Sequence, residues 1–192
     1  MIPFLLSKVA ELGHAVFTTG DYNLNIIGIR SPTRVANSFD DELCVIYKTG
    51  GVWTAESFEV TTDPGTPYLI KPINGAGAAV IAPGQYRGAY LIAKHRGQYD
   101  ALCQVGGPVD VYRDDNRDNN LDLDPTTIQR GMFGINIHKR SGNGDAVNGA
   151  SAGCTVFRYD SEFFVFMDLC RSQVNERGFS TFTYTVVNYE DL

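Results

Sequence analysis

Short apolar runs separated by turn residues are the feature that most constrains this chain. Residues 24–29, 43–48 and 53–61 read as extended segments, and Lys48-Thr49-Gly50-Gly51 supplies a hairpin turn between the last two. Asp63-Pro64-Gly65 closes the second arm, and Gly75-Ala76-Gly77-Ala78 reads as a connector before Ala79-Val80-Ile81. Further strands are expected at 87–95, 101–105, 109–113, 131–137 and 179–188. Helical patterning is scarce. A short helix is expected near 3–12. A longer one follows Asp160 or Ser161 as cap, with Phe163, Phe164, Phe166, Met167, Leu169 and Cys170 forming a wide apolar face and Gly178 ending it. The expected fold is mainly β, sandwich- or barrel-like, with one packed α-helix near the C-terminus and a short N-terminal helix.

The 192 residues suffice for one domain with a substantial core, residues 1–65 contributing the N-terminal helix and hairpin elements. A net charge of −6 argues against a nonspecific nucleic-acid partner, which would need a basic face. No run approaches the length that spans a bilayer. Met1-Ile2-Pro3-Phe4-Leu5-Leu6 lacks the charged region and cleavage site of a signal peptide, so synthesis in the cytoplasm is expected. Of the four cysteines, Cys44 and Cys103 sit in apolar strand-like runs and Cys170 on the late helix, and all three read as reduced and structural; no Cys-x-x-Cys points to zinc or redox chemistry.

Chemistry concentrates between His138 and Cys154, sixteen residues apart. The run from Lys139 to Asp145 is too polar to bury and returns the chain to Ser151-Ala152-Gly153-Cys154. A thiol becomes a useful nucleophile when an imidazole lowers its pKa or takes its proton. Gly153 lets the backbone turn tightly, so that N–H groups at Gly153 and Cys154 can meet a developing oxyanion. Ser151 can orient His138 or donate to a substrate.

These residues resemble the signature of the L,D-transpeptidase (YkuD-like) catalytic domain, which reads as histidine, a loop of similar length, then Ser/Thr-x-Gly-Cys. Ala82-Pro83-Gly84-Gln85-Tyr86 resembles the Pro-Gly-x-Tyr stretch upstream in such domains, and the late helix and closing strand follow in the expected order. The resemblance covers roughly 66–188, with the cysteine turn as its specific part. His138 is followed by Lys139 where the family usually has glycine. Ala152 and Thr155 stand where it often has a second histidine and, after the cysteine, an arginine. Those departures bear on substrate choice more than on the nucleophile.

The resemblance implies a peptidoglycan-modifying enzyme that needs no cofactor. Cys154 would attack a stem-peptide carbonyl and form a thioester, with His138 as base. Water would resolve it in an L,D-carboxypeptidase or endopeptidase, and an amine in an L,D-transpeptidase. Lys139, Arg140 and Tyr86 are the expected substrate contacts. A wall enzyme without an export signal fits a phage product, virion-borne or released at lysis, and favours hydrolysis. The rival is a non-catalytic phage structural or wall-binding protein that keeps the fold.

A second candidate is the acidic run 114–124. Asp114, Asn116, Asp118, Asn120 and Asp122 present side-chain oxygens at alternate positions, as in the first part of an EF-hand calcium loop. Asn119 replaces the usual glycine and Pro125 the bidentate glutamate, leaving Asp124 to substitute. The two readings are a plain solvated turn between strands and a structural Ca2+ site. His95, between Lys94 and Arg96, reads as a surface residue or, on an extended loop, as part of the cleft lining, and His14 as the cap of the first helix.

Overall fold

The computed structural model describes residues 1–142 and 144–192; Asn143, in the polar loop after His138, lies outside them. Eight strands form a closed barrel: β1 (Asn25–Arg30), β2 (Asp41–Thr49), β3 (Val52–Thr61), β5 (Gly84–His95), β6 (Tyr99–Gln104), β9 (Ile137–Lys139), β10 (Thr155–Phe157) and β11 (Thr181–Asn188). Their order is β1-β11-β5-β6-β9-β10-β3-β2. Neighbours pair antiparallel except β1 with β11 and β9 with β10, which run parallel. Three further strands, β4 (Ala78–Ile81), β7 (Val109–Asp114) and β8 (Gln129–Gly131), make a small antiparallel sheet.

Alternation explains why several strands are buried throughout. In β1, Ile26 joins the main core, while Ile27 and Ile29 pack under Leu6 and Val9 of helix α1 (Phe4–Glu11). In β4, Ala79 and Ile81 join the main core, and Ala78 and Val80 pack with Leu69, Leu121 and Ala36. Leu69 belongs to α2 (Thr66–Ile70), a short helix not anticipated from the sequence. Helix α3 (Asp160–Arg177) sends Phe163, Phe166, Met167 and Cys170 into the main core, where Phe166 packs against Phe58 and Phe157. It ends at Gly178 with φ 69°, the left-handed conformation that favours glycine. No side chain caps its start: Asp160 is its first residue and pairs with Lys139 instead. No helix among the described residues is long and apolar enough to cross a membrane.

The barrel interpretation of the mainly β expectation holds, and most strands fall within a few residues of their expected positions. The segment 131–137 does not: it breaks into the end of β8, an irregular stretch and the start of β9. Gln104 explains the break. Its buried Oε1 accepts the N–H groups of Phe133, Gly134 and Ile135, so that this stretch bonds to a side chain in place of a neighbouring strand. His14 is tied to α1 by its backbone, its N–H donating to Val9 O.

One buried polar cluster joins β1, β2 and the end of β3. Arg30 Nε donates to Asp63 and Thr62, while Asp41 accepts from the Ser31 and Thr62 N–H groups and the Thr62 hydroxyl. Burial, reinforced by Asp63, pushes the Asp41 carboxyl up to about 7. The folded protein therefore holds that proton more tightly than the unfolded chain. The stability it contributes is complete below the ordinary value of 3.8 and is lost as pH rises through about 7. Thermal melts of wild type and Asp41→Asn across pH 4–8 check this. The Tm of wild type relative to the variant is expected to fall across that window, and a constant difference would exclude it.

Candidate active site

The parallel pair β9–β10 builds the site. Ile137 and Thr155 are paired, and Thr155 sends its hydroxyl to the buried Tyr184, marking the inward side. Alternation then puts Asn136 and His138 on the opposite face, beside Cys154 and Val156. Cys154 is half-buried just before β10, and the Thr155 N–H donates to Asn136 O to lock the register. At rest the thiol donates to Gly134 O (3.4 Å) and accepts from the Asn136 N–H (3.4 Å). Because Gln104 holds the Gly134 N–H at 2.9 Å, that buried amide positions the strip on which the thiol rests. The signal for it in the sequence is a glutamine ending an apolar run.

The turn before the cysteine is set by Ser151, which is fully buried. Its hydroxyl donates to Cys154 O (2.8 Å) and accepts the Gly153 N–H (3.1 Å). Ser151 thus shapes the turn and does not touch His138. The Gly153 N–H is engaged there too, which corrects its expected part in the oxyanion site. The Cys154 N–H has no hydrogen-bond partner among the described residues. Gly153 has φ 123°, and a Cβ there would land on the Ala79 carbonyl oxygen of β4. Both the backbone angle and the close approach require glycine.

Two imidazoles stand face to face: His95, at the end of β5, stacks on His138 with ring centroids 4.0 Å apart and planes 25° from parallel. His95 is buried, correcting its expected surface position; Lys94 and Arg96 on either side carry the exposure. Hydrogen bonds assign the tautomers. His138 Nδ1 lies 2.7 Å from Lys139 O and must carry the proton, leaving Nε2 with a lone pair. Asn136 Oδ1 accepts the Gln104 N–H, so its Nδ2 donates to His95 Nδ1 (3.1 Å), and neutral His95 carries its proton on Nε2. Burial, with His95 adding to it, holds His138 down to about 3, and burial also lowers His95. Burial raises the Cys154 thiol to about 11. At neutral pH the resting pair is therefore thiol and imidazole, both uncharged.

A cleft of about 490 Å3 contains Cys154, Asn136, His95, Arg96 and Arg113, with Ile73, Met132 and Phe133 among its apolar walls. His95 and Arg96 also border a second cleft of about 410 Å3 that contains His138, Lys139 and Arg140. Lys139 is paired with Asp160 at 2.6 Å. Arg140 is buried over the Phe39 ring and donates to Gly144 O. The cations beside the thiol are Arg96 and Arg113, which the sequence did not single out. Tyr86 lies elsewhere, correcting its expected substrate contact: it is buried in the core and its hydroxyl donates to Ala82 O.

Comparison with known proteins finds no match: no family model, no curated protein and no solved structure is similar to this chain.

The acidic loop lies apart from the thiol. Asp114 is buried at the end of β7 and accepts the Asp122 N–H (3.0 Å). The Asn116 amide donates to Asp118 and Asp122. Asp124 turns away to cap the following 3-10 turn, accepting the Thr126 N–H and hydroxyl, which corrects its expected role as the closing ligand. Among the described residues no group of three or more His, Cys, Asp or Glu side chains converges as a metal site would require. All four cysteines are free, and burial raises the thiols of Cys44, to about 12, and of Cys103 and Cys170.

Two outcomes are expected. Gly153→Ala should lower stability by about 3 kcal/mol, through backbone strain plus the collision with Ala79, as measured by urea unfolding. Alkylation of Cys154 by iodoacetamide, followed by mass spectrometry, should climb about tenfold per pH unit from pH 7 to 10, because only the thiolate reacts. A plateau reached by pH 7 would mean a thiolate already formed at rest.

Proposed function

We propose that the protein is a cysteine acyl-transfer enzyme of the L,D-transpeptidase-like type, acting on peptidoglycan stem peptides. The observation that carries this reading is that Cys154, its N–H unspent, stands on the same face of the β9–β10 pair as a His138 imidazole whose Nδ1–H is fixed on Lys139 O. In this reading the Cys154 side chain swings from Gly134 O toward His138 Nε2 as substrate displaces it. Nε2 takes the thiol proton while Sγ forms a bond to the amide carbon, and the carbonyl π electrons move onto oxygen. The Cys154 N–H donates to that oxygen. Collapse breaks the C–N bond, and His138 returns its proton to the departing amine. The thioester is then cleaved by water, giving an acid, or by an amine, giving a cross-link, with His138 accepting the proton of either.

Held down by burial and by His95, the His138 imidazole keeps its lone pair free at neutral pH but is a weak base for a thiol that burial raises, so the substrate must supply the drive for the proton transfer. The two clefts that meet at His95 and Arg96 suit a reaction with a donor side and an acceptor or leaving-group side. Exposed Arg96, on the ridge between them, is the side chain suited to a stem-peptide carboxylate. A hydrolytic outcome, as in an L,D-carboxypeptidase or endopeptidase, fits a lytic or virion-borne phage enzyme. One observation favours the non-catalytic alternative: the resting thiol bonds to the backbone and not to an imidazole.

Purified muropeptides incubated with wild type, Cys154→Ala and His138→Gln, read by mass spectrometry, test the proposal. Wild type should release a D-residue or open or form a cross-link, and Cys154→Ala should do neither. His138→Gln should lose roughly 10²–10⁴ in kcat/KM, the range for removal of a general base. Folded wild type without turnover or acyl-enzyme would move the assignment to a non-catalytic wall-binding module.

A further inference from the structure

We propose that Arg113 of β7 seats a free carboxylate inside the thiol cleft, apart from the one suited to Arg96 on the ridge. The substrate class rests on the acyl-transfer reading: an amide whose carbonyl reaches Cys154 carries an uncapped carboxylate that Arg113 holds. The first observation is the charge of the cleft. The chain as a whole carries −6, yet the cleft beside Cys154 is bordered by Arg96 and Arg113 and, among the described residues, by no aspartate or glutamate. A cleft of one sign with low-dielectric walls concentrates ligands of the other sign, and Ile73, Met132 and Phe133 supply such walls. Arg96 stands close enough that its charge favours the Cys154 thiolate. It leads the turn between β5 and β6 with φ 49°, a left-handed conformation uncommon for arginine.

The second observation is the state of Arg113. Only 7% of it is exposed, burial lowers its pKa, and no carboxylate among the described residues offsets that effect. A buried cation without a counter-ion is costly. What holds it is neutral. Nε donates to Gln129 Oε1 (2.9 Å), Nη1 donates to Gly77 O (3.3 Å), and the guanidinium lies 4.7 Å from the centre of the Phe133 ring. Gly77 and Phe133 themselves border the cleft, so these contacts set the guanidinium against its wall. Nη2 has no hydrogen-bond partner among the described residues, and it is not sealed in protein as the unpartnered nitrogens of Arg30 are. Neutral tethers thus fix the group while its charge and one nitrogen stay unspent. That suits a single carboxylate on an organic body, and it offers few donors for a phosphate dianion.

Alkylation of Cys154 in the full chain by N-bromoacetyl-alanine and by its carboxamide, read by mass spectrometry, tests the proposal. The two reagents differ only in the charge of the carboxylate, and the readout is the ratio of their rates. Wild type should favour the acid about tenfold at low salt, the lower end of what a charged cleft supplies, and lose most of that preference in concentrated NaCl. Arg113→Gln should bring the ratio to about one, with the carboxamide rate close to that of wild type. Arg113→Lys, which keeps the charge without the planar group, should retain part of the preference. A wild-type ratio near one would overturn the proposal, and that arm needs no variant to fold. So would Arg113→Gln slowing both reagents alike, which would make the residue structural only. A preference lost in Arg96→Gln but intact in Arg113→Gln would move the carboxylate to the ridge and overturn it too. The readout needs no turnover. A protein that keeps the preference and leaves muropeptides untouched would strike the peptidoglycan reading alone, and turnover without the preference would strike this proposal alone.

Discussion

The site depends on the parallel pairing of two three-residue strands, β9 and β10. Parallel neighbours cannot be joined by a tight turn; they need a crossover of about a dozen residues or more. The spacing between His138 and Cys154 is the length of that crossover. What looks in the sequence like a long interruption is thus the link that puts imidazole and thiol on one face. The Ser151 turn and the contact of Gly153 with β4 then set where the chain re-enters the sheet. Gln104, reaching across from β6, fixes the opposite wall.

The site is kept neutral by the burial of its two ionisable groups. A thiol and an imidazole in contact with water would sit near their ordinary pKa values and could exchange a proton at rest. Here burial disfavours the charged form of each, so both are uncharged at rest. The oriented Nδ1–H of His138 supplies the preparation instead. The imidazole is placed and its tautomer chosen, and in the proposed reaction charge would appear only as bonds change.

Much of the fold was legible because strand signals are local. The Gly50-Gly51 hairpin, the apolar runs of β1 to β3 and the Gly178 stop of α3 each follow from residues within a few positions of one another. The closure of the barrel was not, because strand partners are chosen by long-range packing. Cys154, His138 and the glycine before the thiol stood out by residue type and spacing. His95 could not: flanked by two cations, it reads as exposed, although alternation at a strand end can turn one residue inward between two solvated neighbours. Tyr86 erred the other way. The Pro-Gly-x-Tyr likeness made Tyr86 an expected substrate contact, but its hydroxyl is satisfied by a nearby carbonyl and its ring is part of the core.

The barrel is sealed by β1 against β11, with Ile26 opposite Tyr184 and therefore 158 positions away in the chain. Such a seam cannot form until residues near 188 have left the ribosome, so β1 and β2 must wait as an incomplete sheet while most of the chain is made. Non-local pairing of this kind folds slowly, because a long loop must be closed before any bond across the seam is gained. During that wait one edge of β1 is open, and α1 covers a face of the strand without covering its edge. The nascent chain is thus most open to strand-to-strand association with other copies just before its last strand arrives, and once that strand docks the barrel offers no edge at all.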